Sequence, residues 1–219
     1  METNAPDDSQ RPPQIPARRP NRKRLIIGAA AIAIVIIAAI GVSGILGNTS
    51  ASEDKRVITA PAYSMMLSAS DLSSHWKSNG PWFTGVVLHA SISNHSSIEL
   101  YVGDSNDPLG DIMILLCVTP SVDTAKELLA FYINQQNKNT DFEFTKMTDA
   151  IGSESYEATL SNPPSSPSYS SYTCVFRQNN VMVVMGFYYD QSYIMTQSWM
   201  KEVLEMQLER VKASLPDRA

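Results

Sequence analysis

Residues 170–189 read SSYTCVFRQNNVMVVMGFYY. Two runs rich in Val, Thr, Tyr and Phe, 170–177 and 181–189, flank Gln178, Asn179 and Asn180. β-Branched and aromatic side chains suit a pleated surface, and Asn tolerates the backbone of a tight turn, so the stretch predicts a β-hairpin. The rest of the chain is read outward from it.

Toward the C-terminus, residues 192–214 carry a helical period. Met200, Leu204, Leu208 and Val211 form one ridge, and Trp199, Val203 and Met206 the adjacent one. Upstream, Pro163, Pro164 and Pro167 make residues 161–169 an exposed loop. Strands are predicted over 156–160 and 142–147, either side of a turn at Gly152. Pro120 and Ser121 open a helix with Asp123 in its first turn and Val122, Ala125, Leu129 and Tyr132 along one face. Before it lie three strand-like runs, 83–91, 98–103 and 111–118; in the second, Ile98, Leu100 and Val102 alternate with Glu99 and Tyr101. Ser68 to Asp71 looks like a capping box for a short helix ending near Trp76.

The order α-βββ-α-ββββ-α, with short turns between strands, predicts an α+β fold: an antiparallel sheet covered by helices, over residues 64–215. Cys117 ends the third strand and Cys174 lies in the strand before the hairpin turn. Outside the cytoplasm such a pair is expected to oxidise, so a Cys117–Cys174 disulfide is predicted, stabilising by roughly 4 kcal/mol in the chain-entropy model. Two buried thiols are the alternative.

The overall charge of -5 over 219 residues conceals three zones. Residues 1–24 hold six cations against three acids, residues 25–49 hold no charge, and residues 50–219 have a net charge of -8. The run from 25 to 46 has Ser43 as its lone polar side chain. About 20 apolar residues span a hydrocarbon core, and the apolar region of a cleaved signal peptide is usually about half that length. Residues 25–47 are therefore expected to be a retained transmembrane helix, preceded by a disordered, basic, Pro-rich tail (1–24) and followed by a linker (48–63). Arg18, Arg19, Arg22, Lys23 and Arg24 abut the span, which places the N-terminus in the cytoplasm and the domain outside. The tail's Pro13-Gln-Ile-Pro16 matches a polyproline motif, though a topology signal explains its composition.

Several short stretches together resemble a group of prokaryotic, often archaeal, membrane-anchored extracytoplasmic domains of unknown function. They are Leu67 to Leu72 leading to Trp76, Asp123-Thr-Ala-Lys-Glu127, Ile151 to Tyr156, and VFRQNNVMV at residues 175–183. Asn179 stands where that group commonly has Gly, and Ser153 where it often has Asp; both are turn positions. The resemblance spans most of residues 64–190. It implies a PsbP-like α/β/α sandwich and a binding rather than catalytic role, and it carries no site residues over.

Motifs for chemistry are sparse. Ser74 with Lys77, and Ser52 with Lys55, fit S-x-x-K, but the later S-D-N and K-T-G elements are missing. The stretch 104–111 is rich in Asp and Asn, yet Leu109 and Leu115 stand where a calcium loop needs Gly and Glu. His75, His89 and His95 lack the spacing of a zinc site. Tyr169, Tyr172, Phe187, Tyr188, Tyr189 and Tyr193 cluster late and offer either core or a binding surface. Asn48 and Asn94 begin glycosylation acceptor motifs. The acidic domain disfavours nucleic acid.

The expected protein is a single-pass membrane protein with a non-catalytic extracytoplasmic binding or accessory domain. No catalytic, metal or cofactor residues are assigned. Its expected partners are the lipid bilayer, through residues 25–47, and an envelope protein or ligand. An envelope serine hydrolase using Ser74 and Lys77 is the enzyme alternative, and a sensor module signalling through a partner is a third.

Overall fold

The computed structural model describes residues 54–85, 95–103, 110–139, 142–161, 169–190 and 195–217. The basic tail, the expected span at 25–47 and the first part of the expected linker lie outside the described residues, as do Asn48, His89, Asn94 and the loop residues 104–109 and 162–168. Among the described residues, no helix is long and apolar enough to cross a membrane.

Residues 111–118, DIMILLCV, are apolar at nearly every position, and all but the first are buried. A strand apolar on both faces must lie between two layers, and this strand decides the architecture. Among the described residues, the strands are β1 (Trp76–Gly85), β2 (His95–Gly103), β3 (Asp111–Val118), β4 (Thr145–Lys146), β5 (Glu154–Ser161), β6 (Tyr169–Gln178) and β7 (Val181–Asp190). They form one sheet, ordered β1-β2-β3-β7-β6-β5-β4, with every neighbouring pair antiparallel. The helices are α1 (Ala69–Leu72), α2 (Val122–Asn139) and α3 (Gln197–Lys212), with a 3-10 turn at Ala62–Met65. Helix α2 carries the chain from the sheet centre to its far edge. The meander β4 to β7 then returns, until β7 pairs with β3.

The two faces follow from strand parity. Ile112, Ile114 and Leu116 join Val183, Met185 and Phe187 against α3 and the segment 58–72. Met113, Leu115 and Cys117 join Val175, Met182 and Val184 against α2, where Leu128, Leu129 and Tyr132 meet them. The result is the expected α+β class, with an antiparallel sheet between helical layers. Val122, Ala125, Leu129 and Tyr132 are buried, as the α2 period predicts, and so are Met200, Leu204, Leu208 and Val211 of α3.

The expected disulfide is corrected. Cys117 and Cys174 are both buried and are not joined in a disulfide. β7 lies between their strands, so two strand spacings of about 4.8 Å separate them. Cys117 faces α2, whereas Cys174 faces α3. Side chains that leave opposite sides of a sheet cannot be bridged.

Other boundaries also shift. Helix α1 stops at Leu72, where Ser73 takes φ 155° and Trp76 already begins β1, so the helix does not reach Trp76. The strand expected over 142–147 shrinks to Thr145–Lys146, because Phe142 and Phe144 instead fill the layer beneath α2. β1 is an edge strand whose register slips on both sides of Pro81, as befits a residue with no N–H to give a ladder.

The hairpin turn is two residues long, since Gln178 pairs with Val181. Asn179 has φ 53°, the left-handed region where Gly or Asn is favoured. Its neighbour Asn180 is fully buried. The Asn180 Nδ2 donates to the carbonyls of Ile58 (2.9 Å) and Thr119 (2.6 Å), and its Oδ1 accepts from the Ile58 N–H (2.7 Å). The Asn179 Nδ2 donates to the carbonyls of Asp54 (3.1 Å) and Arg56 (2.9 Å). From residue 54 onward, therefore, the expected linker is part of the domain, with Ile58 and Ala62 in its core. Domain packing starts at least ten residues before residue 64.

Two outcomes follow. In the denatured, unreduced protein both thiols react with maleimide, adding two labels by mass; in the folded protein neither does. Asn180→Ala leaves the Ile58 N–H and carbonyl and the Thr119 carbonyl without their amide partner and lowers unfolding stability by at least about 3 kcal/mol, at ~1–3 kcal/mol per orphaned group, as read by chemical denaturation.

Candidate functional site

The sheet has two ends. Strand pairing gathers Val118, Glu154 and the turn 179–180 at one of them. Trp76, Gly103, Asp111 and Tyr188 mark the other. α3 starts at this second end, because it follows β7. Aromatic side chains collect there on the α3 face.

Tyr172 and Phe187 are register partners on β6 and β7, with ring centroids 6.0 Å apart. Phe187 meets Trp199 edge-on at 6.3 Å, and Trp199 stacks on Trp76 at 5.7 Å with an interplanar angle of 11°. Trp199 is placed by the α3 cap, where the Thr196 hydroxyl accepts from its N–H at 3.3 Å. Four rings from β1, α3, β7 and β6 thus form a continuous row. Phe187 and Trp76 are buried within it, while Tyr172, Trp199 and the adjacent Tyr189 are half-buried and border the solvent. Tyr172 donates to Glu157 Oε2 at 2.9 Å. Burial, the nearby Cys174 and that carboxylate all keep its phenol protonated, well above the usual tyrosine range.

The late aromatic cluster is therefore divided by parity. Tyr172, Phe187 and Tyr189 belong to the row; Tyr188 lies on the α2 face. Tyr193 lies outside the described residues, and Tyr169 opens β6. Trp76 and Trp199 are the members that sequence reading missed. Trp199 was legible as a ridge residue of α3, but its stacking on a strand 123 positions away has no local signal.

An open groove of about 430 Å³ lies between α1 and α3. Leu67 and Met206 line its floor; Asp71, Glu202, Glu205 and Glu209 make its walls acidic. Arg210 crosses to Asp71 with bonds of 2.8 and 2.9 Å to both carboxylate oxygens. Asp71 also accepts from the Ser68 N–H (2.6 Å) and hydroxyl (2.7 Å), completing the expected cap on α1. Burial pushes the Asp71 carboxyl up, but the Ser68 bonds and then Arg210 outweigh it and hold it below the usual aspartate range.

The motifs weighed as alternatives fall at separate places in the fold. Ser74 sits exposed in the turn between α1 and β1, and Lys77 lies on β1, so this S-x-x-K lacks the helical turn that would set serine over lysine. Ser52 and residues 104–109 lie outside the described residues. His75 is exposed, and no metal-holding group of three or more His, Cys, Asp or Glu side chains occurs among the described residues. Burial, and secondarily Glu157, raises the Cys174 thiol far above the range of a reactive cysteine. Its sulfur lies 3.6 Å from the Met147 thioether.

No family model matches the chain, and no curated protein matches it. Among solved structures it is similar to the extracellular domain of PknH from Mycobacterium tuberculosis: TM-score 0.54, 9% sequence identity, covering 72% of this chain and 99% of that one. The likeness is one of fold. It extends over nearly the whole of that extracellular domain.

The Asp71 network has a pH signature. Its folded pKa is depressed, so its contribution to stability is complete above the unfolded aspartate value and is lost as pH falls through the folded value. Asp71→Asn is expected to lower the urea midpoint at neutral pH, and the difference from the wild-type chain is expected to close in acid.

Proposed function

We propose that this chain is a single-pass membrane protein whose residues from 54 onward form a non-catalytic, extracytoplasmic binding domain, with the aromatic row as its contact surface. The observation that carries the reading is the fold likeness to an extracellular domain over 99% of that domain's length. The 22-residue uncharged run at 25–46, flanked by arginines on one side, supports the anchor. Half-exposed Trp and Tyr beside a carboxylate supply large, stiff contact area with a polar edge, the composition that binding surfaces favour.

Treating intact cells with external protease, and probing the same cells with a fluorophosphonate serine label, tests both halves. The domain is expected to be digested from outside, to stay with the membrane fraction before digestion, and to take no label. Release of residues 54–217 into the medium would mean a cleaved signal, and labelling lost in Ser74→Ala would make the protein a hydrolase.

A further inference from the structure

Residues 54–58 have no regular secondary structure, yet their bonds reach residues more than 120 positions along the chain. Asp54 and Arg56 give their carbonyls to Asn179, and Ile58 is held on both its N–H and carbonyl by Asn180. The Arg56 guanidinium donates to the carbonyl of Pro216 (2.7 Å), beyond the end of α3, and grips Asp54 at 2.6 Å. The segment is pinned between the β6–β7 turn and the C-terminal end of α3. Only six residues separate Asp54 from residue 47, so the pinned segment begins within about 25 Å of fully extended chain from the end of the apolar run.

We infer that residues 54–58 are an orienting clasp. They hold the hairpin-turn end of the domain toward the bilayer and set the aromatic row at the opposite end, away from it. This rests on the anchor reading above. The physical reason is leverage: a single flexible tether lets a domain tumble, whereas a tether bonded at several points along one end restricts its tilt. Six residue steps of β6 separate Tyr172 from Gln178 at the turn, so the row stands roughly 20 Å farther from the membrane than the clasp. A partner meeting the row would come from the envelope side rather than lie on the same lipid surface.

The test uses the full chain in lipid nanodiscs carrying a headgroup-attached quencher. One dye is placed at Ser153→Cys, beside the turn, where the Ser153 N–H donates to Arg177 (2.8 Å); another is placed at Ser198→Cys, in the first turn of α3. Both serines are exposed, and the native cysteines are buried and stay unlabelled. The dye at 153 is expected to be quenched several-fold more than the dye at 198. Asn179→Ala, or Arg56→Ala if the first variant unfolds, should keep the thermal transition and narrow that contrast. Equal or reversed quenching in disc-bound protein overturns the clasp's orientation. An unchanged contrast in folded variants overturns its cause. Failure of the chain to enter discs leaves both dyes bright, which overturns the anchor reading and this inference together.

Discussion

One buried amide holds the domain's topology in place. Asn180 brings together Ile58, Thr119 and the β6–β7 turn, segments separated by 122 and 61 residues of sequence. A polar group in a dry interior costs several kcal/mol unless its bonds are remade there. Asn180 remakes its own and, at the same time, satisfies backbone groups that have no sheet partner. The backbone carbonyl of Asn180 also accepts from the N–H and hydroxyl of Thr119 at 2.9 Å each. The end of β3 is thus tied to the start of β7 by more than the ladder, and β7 is the strand whose placement beside β3 closes the crossover.

With β3 and β7 fixed at the centre, helices must cover both faces, since each strand carries apolar side chains on both sides. The cysteines follow the same logic. At these two buried strand positions an unoxidised cysteine supplies a small apolar volume. Parity sends one thiol to each face, so the pair behaves as two independent packing residues even where the surroundings are oxidising. Cys174 is shielded further by the Met147 thioether and by burial that keeps it protonated.

What could be read without coordinates was whatever repeats locally. The hairpin, the strand-like 111–118 run and the α2 face each announce themselves within about twenty contiguous residues. The docked segment 54–58 does not, because it uses backbone groups and one buried isoleucine rather than a period. Its partners Asn179 and Asn180 look like any polar turn. The disulfide failed for a related reason: strand lengths were legible, but strand order and face parity across β3, β7 and β6 were not. The aromatic site was half legible, with the Tyr and Phe members in one late cluster and the two tryptophans scattered at 76 and 199. Stacking between distant elements is a tertiary fact, and no spacing rule encodes it.

The fold likeness at 9% identity fits this division of labour. Central strands apolar on both faces, a crossover helix and a tight turn are geometric demands that many residues satisfy, so the architecture survives near-complete sequence change. A contact surface has no such freedom, because its partner reads particular side chains. Tyr172, Tyr189 and Trp199 lie at the rim of the core rather than inside it, and the core constrains them only by their buried neighbours Phe187 and Trp76. On the proposed reading, specificity can vary at the row while the clasp, at the other end of the same two strands, stays as it is. In the proposed arrangement the parts that set orientation and the parts that choose the partner are joined by the β6–β7 hairpin.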